Sequence, residues 1–139
     1  MTFPRLGFHE ERGAVAVEFA LISTLLIMLV LGIIEFGRSY SQYEVFLNAA
    51  REGARKGAVR ATTGEIQQAV KDGAVGYPLS EFPPAVTVNG AVPAADPPCS
   101  DDTVGQDLRV SWNQVFKIQV PFLPDLSTTV KIRGVFRCE

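Results

Sequence analysis

The stretch that most limits what this chain can become runs from Ala14 to Ile34. In those 21 residues only Glu18, Ser23 and Thr24 are clearly polar. As an α-helix the run would be about 32 Å long, enough to cross a hydrocarbon core of roughly 30 Å. No other stretch of the 139 residues approaches that length of hydrophobicity. The chain therefore reads as one made at a membrane, with the remainder displayed from it. Orientation is not legible from charge. Arg5 and Arg12 precede the run, while Arg38 and Arg51 follow it with Arg55 at the margin. The positive-inside rule is nearly silent on so even a balance.

Two readings compete for the join between residues 1–13 and the apolar run. An ordinary secretory signal would be cut after the run, and Ser39-Tyr40-Ser41 offers a formal small-x-small site. A 21-residue apolar core is too long for that, since signal cores hold about 7–15 residues. The other reading cuts between Gly13 and Ala14 and leaves the helix on the mature protein. Glu18 bears on the choice. A carboxylate deep in a membrane helix costs a few kcal/mol when unpaired. It either snorkels to the nearby interface or pairs with a cation. A cut after Gly13 would create an α-amine on Ala14, one helical turn before Glu18. That amine, or a neighbouring subunit's, is a natural partner.

Gly13, then Ala14-Val15-Ala16-Val17, then Glu18-Phe19, resembles the processing site of type IV pilin-like proteins of the tight-adherence (Tad/Flp) class. The likeness continues through Ile34-Glu35-Phe36-Gly37-Arg38 and through Asn48-Ala49-Ala50-Arg51-Glu52-Gly53-Ala54-Arg55. Glycine before a spanning run is a weak signal alone; these pieces together are a strong one. The pattern resembles the TadE-like family of pilus assembly proteins, or pseudopilins, closely over about the first 55 residues and only in outline beyond them.

That resemblance implies removal of the leader 1–13 by a dedicated prepilin peptidase of the membrane. It implies that Glu18 and Phe19 guide subunit docking. Phe19 departs from the tyrosine that major pilins typically carry after the acid, and suits the pseudopilin branch. The implied partners are other pilin or pseudopilin subunits, the peptidase, the inner-membrane assembly platform and the lipid bilayer. The implied location is the bacterial inner membrane, single-pass. The likeness and the cysteine pair together put the C-terminal domain outside the cytoplasm.

The helix is expected to run past Ile34, from near Ala14 to near Arg60, since no proline interrupts it before Pro78. Phe36, Tyr40, Tyr43, Leu47, Ala50 and Ala54 recur at spacings of 4, 3, 4, 3 and 4, a heptad-like apolar stripe. Glu52 and Lys56 form a favourable i, i+4 pair. Glu35 and Arg38 read as an interfacial ion pair. Gly32, Gly37, Gly53 and Gly57 are points where the helix can bend. Ala49, Gly53 and Gly57 form a row of small residues. The preferred reading is close approach to the chain's own sheet; the alternative is contact between subunits.

Residues 61–139 are expected to form an exported α+β domain. Thr62 and Glu65 fit a capping box. Behind it Ile66, Ala69, Val70, Gly73 and Ala74 share one face of a short helix, ended by Gly76 and Pro78. After Pro83-Pro84 the apolar period shortens to that of a strand. Val86 and Val88 alternate up to an Asn89-Gly90 turn. Residues 89–106 read as a long loop that carries Cys99. From Leu108 the apolar positions are Leu108, Val110, Trp112, Phe116, Ile118, Val120 and Phe122. Gln114 interrupts them, in one long strand or two hinged near Asn113. Pro121 to Asp125 is a turn, and Thr128 to Arg137 a last strand with Val130, Ile132, Phe136 and Cys138 on one side. The apolar face needs a cover, and the two helices supply it. The expected fold is a type IV pilin-like long hydrophobic helix on a small antiparallel sheet of about three strands, with one extra short helix.

The chain has two cysteines, Cys99 and Cys138. In an exported domain an isolated pair is more often a disulfide than a metal site. The net charge of −2 gives no electrostatic argument for nucleic acid. The sole histidine, His9, lies in the expected leader, so no Ser-His-Asp set, metal cluster or phosphate loop can be assembled. Asp96, Asp101, Asp102 and Asp107 match no EF-hand spacing and read as a solvated loop. No catalysis, cofactor or metal is expected.

The leading reading is thus a pseudopilin with Phe36, Tyr40, Tyr43, Leu47, Ala50, Gly53, Ala54 and Gly57 as helix-packing residues. Its rival is a single-pass membrane-anchored envelope domain with a binding or sensing role, which needs neither cleavage nor Glu18. A third option is a domain released after Ser41.

Overall fold

The computed structural model describes residues 10–120 and 124–139. Helix α1 spans Glu10–Ala58 and helix α2 spans Thr63–Gly73. Strand β1 is Ala85–Val88, β2 is Asp107–Ile118 and β3 is Leu126–Arg137, in the antiparallel order β1-β2-β3. A single 3-10 turn, Asp101–Thr103, lies in the connection before β2. The expected layout is therefore present: a long apolar helix, a short helix and a three-stranded antiparallel sheet.

Helix α1 is one element through all four glycines at which a bend was anticipated. It stops because Arg60 takes a left-handed backbone (φ 67°). The Ala61 N–H then reaches the Lys56 carbonyl (3.3 Å) and the Arg60 N–H the Gly57 carbonyl (3.1 Å). These are the two bonds of a Schellman end. The guanidinium of Arg60, aimed forward by that conformation, pairs with Asp101. Two residues on, Thr62 opens α2 with the anticipated capping box. The Glu65 carboxylate accepts from the Thr62 N–H (2.8 Å), and the Thr62 hydroxyl accepts from the Glu65 N–H (3.3 Å). Ile66, Val70 and Ala74 are buried.

Phe46 is the hub of the core. It is 2% exposed, and its ring meets Tyr77, Trp112 and Phe116 edge-on at 6.1, 6.2 and 5.9 Å between centroids. Tyr43 packs on Phe116. C-terminal to Phe46, α1 buries two adjacent rows because two elements cover it. Ala50 and Ala54 lie at full burial; on one side the Ala50 carbonyl lies so close to Gly134 of β3 that a methyl there would overlap it. On the other side Ala49, Gly53 and Gly57 take α2. A methyl on Gly57 would come within 2.8 Å of Ile66, and Gly73 approaches the Ala49 backbone. The small-residue row is thus spent inside the chain, as preferred from sequence, but mainly against α2 rather than the sheet.

The sheet corrects several expectations. Strand β2 is continuous, without a hinge at Asn113. Gln114 does not interrupt its inner face but belongs to it, 5% exposed. Its carbonyl oxygen accepts from the Trp112 indole N–H (3.1 Å) and the Ser80 N–H (3.0 Å), and its amide donates to the Pro78 carbonyl (3.3 Å). Val120 lies past the end of β2 at Ile118. Strand β3 starts at Leu126, two residues early, and its Phe136 is 39% exposed rather than covered. Phe122 and the centre of the Pro121–Asp125 turn lie outside the described residues. The Asn89-Gly90 turn is present, with φ of 50° and 83°, the left-handed pair of a tight hairpin.

Strand β1 covers β2 only along Leu108–Ser111. Beyond it the β2 edge is closed by side chains: the Glu81 carboxylate accepts from the Asn113 N–H (2.8 Å), and the Ser80 hydroxyl from the Val115 N–H (3.0 Å). Cys99 and Cys138 are joined as a disulfide with Cα atoms 5.4 Å apart, tying the long loop to the chain end. The Glu139 N–H donates to the Ala58 carbonyl at the end of α1 (3.1 Å).

Candidate functional site: the uncovered half of the long helix

Helix α1 divides in two. From Phe46 onward it is built into the domain. From Gly13 to Ile34 nothing covers it, and the apolar side chains stand free all round: Phe19 is 71% exposed, Leu25 69%, Ile33 63%. An apolar surface with no preferred side is incompatible with water and suited to lipid. The two hydroxyls in the stretch are satisfied within the helix, Ser23 and Thr24 both donating to the Ala20 carbonyl at 3.1 and 2.7 Å. Neither presents an unsatisfied donor to hydrocarbon. This one long apolar helix fits a single-pass membrane anchor.

Gly13 and Ala14 lie near the start of α1, exposed and in helical conformation. Glu18 and Phe19 follow one turn later, also exposed, and the Glu18 carboxylate has no ion-pair partner among the described residues. Residues 1–9 of the expected leader lie outside the description.

At the exit from the apolar run Glu35 does more than the expected ion pair. It accepts from Arg38 at 2.9 Å and, at 3.4 Å, from the Gln119 N–H just past the end of β2. Its side chain is only 14% exposed. The lower end of the sheet is thereby held at the last turn of the apolar run.

The eight expected packing residues separate into three groups. Ala50, Gly53, Ala54 and Gly57 are buried within the chain, and Tyr43 and Leu47 lie partly covered at the core edge. Phe36 and Tyr40 touch none of it and are 69% and 56% exposed. The stripe named from heptad spacing therefore follows the domain only from Tyr43 on. It missed Phe46, whose position i+3 from Tyr43 and i−4 from Ala50 was the available signal. Glu52 pairs with Arg55 (2.8 Å), not with Lys56. The hydrogen bond from Arg55 holds the Glu52 carboxyl below the ordinary carboxylate value. On a pair this exposed, its effect on stability is small.

Among the described residues no three His, Cys, Asp or Glu side chains converge as a metal site would require. No curated protein and no solved structure matches the chain significantly. The family model described as TadE-like protein matches residues 13–55. The match begins at the glycine before the apolar run and ends where α1 is packed into the domain. Over residues 13–55, under a third of its length, the chain is thus similar to the TadE-like family.

Proposed function

We propose that this chain is a pseudopilin, a minor or accessory subunit of a Tad/Flp-type pilus that acts in pilus assembly and tight adherence. The observation behind this reading is the division of α1 into a bare apolar half and a half that forms the spine of a folded domain. Such a helix can be drawn from lipid into a bundle of like helices while its domain stays outside. Residues 1–13 are the leader, removed after Gly13 by a prepilin peptidase. Residues 14–60 are the spanning and packing helix. Residues 61–139 are the domain outside the inner membrane, stapled by Cys99–Cys138. The role is structural rather than catalytic. The partners are pilin-like subunits and the assembly platform.

Glu18 neutralises an N-terminal amine on Ala14, its own or a neighbour's, during docking. Pairing removes the cost of a lone carboxylate in hydrocarbon, so it gives the incoming subunit a defined axial position. With Ala49, Gly53 and Gly57 covered by α2, neighbouring subunits would meet along residues 14–40, where Phe36 and Tyr40 stand free.

The test is the N-terminal sequence and intact mass of the protein taken from cell membranes. A start at Ala14 is expected. A start at Met1 would overturn the processing step and favour a single-pass anchored domain. In the same cells Glu18→Ala should still be cleaved but absent from sheared pili, and normal co-purification would refute the docking role.

A further inference from the structure

Residues 61–139 contain six basic side chains: Lys71, Arg109, Lys117, Lys131, Arg133 and Arg137. All but Lys71 occupy alternate positions of β2 and β3 on the sheet face turned away from the helices. Register brings three of them together. Arg109 lies opposite Val135, so Arg133 and Arg137 are its two diagonal neighbours, at about 7–8 Å. Lys131 extends the row past Arg133, and Lys117 lies further along β2. The face is about 27 Å long from Arg109 to Lys117 at strand rise.

Little on the face balances this charge. Asp107 approaches Arg137 only at 3.9 Å. Glu81 is bonded to the backbone and side-chain amides of Asn113 and lies near enough to Lys131 to feel its charge, without forming an ion pair with it. Arg109, Lys117, Lys131 and Arg133 make no ion pair among the described residues. The Arg109 Nε is buried with no hydrogen-bond partner. Like charges this close repel across a sheet, and a donor left orphaned costs free energy. The repulsion is relieved by an oxyanion bridging the exposed ends of the guanidinium groups, which take carboxylate, sulfate or phosphate bidentately.

We infer that this face binds an acidic polysaccharide. Stacking of nucleobases needs exposed aromatic rings, and Trp112, the aromatic residue at the centre of β2, is turned into the core at 3% exposure. A protein partner wants a desolvated apolar centre, whereas the face offers only Val115 and Val135, each about two-fifths exposed. Asn113 and Thr129, both exposed, instead interleave the cations with groups that hydrogen-bond sugar hydroxyls. The sheet runs alongside α1, with Gln119 at Glu35 and Glu139 at Ala58. Its outer face therefore stands up from a bilayer crossed by α1 rather than lying on it. This inference requires only that the face be free; a failure of cleavage at Gly13 would leave it untouched.

The experiment uses the full chain in detergent micelles, with heparin and polygalacturonate as probes and neutral dextran and duplex DNA as comparisons. Both acidic polysaccharides should bind at low ionic strength and weaken as salt rises. The exposed pair Lys131→Gln/Arg133→Gln should lose about tenfold in affinity, with the salt slope falling by roughly one per charge removed. Arg109→Gln should lose a similar share per charge, and Lys71→Gln should bind like the parent chain. Three results would each overturn the inference: no binding of either polymer, binding indifferent to the Lys131/Arg133 pair, or duplex DNA held as tightly through the same residues.

Discussion

Gln114 is the most testable joint of the domain, because a single amide serves three groups that have no other partner. Replacing it by leucine keeps the volume and removes every polar contact. The Trp112 indole N–H, on a side chain 3% exposed, is then cut off from water and costs about 1–3 kcal/mol as an orphan. The Pro78 carbonyl loses its donor at about the same scale. The Ser80 N–H is near the surface and recovers most of its loss from solvent. The sum is roughly 4 kcal/mol, offset by about 2 kcal/mol from burying a leucine. The net expectation is a domain about 2 kcal/mol less stable. Urea unfolding in detergent, followed by far-UV circular dichroism, measures it. A double-mutant cycle with Trp112→Phe isolates the central bond. In that background Gln114→Leu should cost about 1–2 kcal/mol less, because the orphaned indole donor is gone. A neutral Gln114→Leu, or a cycle with no coupling, would show that the bracket carries no weight.

Four further outcomes follow from the same contacts. Gly134→Ala should destabilise by about 1–3 kcal/mol, since its methyl overlaps the Ala50 carbonyl and α1 must move off the sheet; Gly64→Ala, with open space around it, should be neutral or stabilising in the same denaturation. Arg60→Gly sets relief of a left-handed backbone, about 1 kcal/mol, against an exposed ion pair worth about 0–1, so stability should hold or rise slightly, and a clear loss would mean that the Asp101 contact anchors the loop. Glu65, held by the Thr62 amide and then its hydroxyl, and Glu81, held by the backbone and then the side chain of Asn113, both lie below the ordinary value of 4.5; their contribution is complete above that value and is lost as pH falls through the lower folded values, so Glu81→Gln should flatten the acid limb of the stability profile. Cys99→Ser should lower stability by about 4 kcal/mol, the chain-entropy value for a sequence separation of 39, and reduction of the parent chain should reproduce the loss in thermal melts.

What could be read from the chain alone depended on how local the controlling physics was. The spanning run is decided by contiguous composition, and the Thr62–Glu65 cap and the Asn89-Gly90 turn by residues within a turn of one another; each lies where it was expected. The strands were visible as alternation, but their ends were not. The end of β2 is linked to Glu35, far away in sequence, and no pattern near Ile118 records that. Gln114 looked like a fault in an apolar face because its three partners lie up to 36 residues upstream. The heptad spacing of Phe36 and Tyr40 was real, yet a heptad seam assumes one partner helix. Helix α1 has two covers at an angle to each other, so its buried face is wider and turned toward Phe46, Ala49 and Gly53. The basic face was visible only as scattered arginines and lysines until the register of β2 with β3 placed Arg109 between Arg133 and Arg137.

The two halves of α1 also explain why their compositions differ so sharply along one unbroken helix. The uncovered half carries large branched side chains on every side, with no period, because lipid presents the same surface all round. The covered half alternates alanine and glycine with a single large ring, Phe46, because two neighbours approach its backbone closely. Moving a large residue into the second half would push α2 or β3 away; moving small residues into the first would thin its contact with lipid while leaving the domain intact. Damage to the domain and damage to membrane or subunit contacts should therefore separate along the helix. The boundary falls between Tyr40, which is free, and Tyr43, which already touches the core through Phe116.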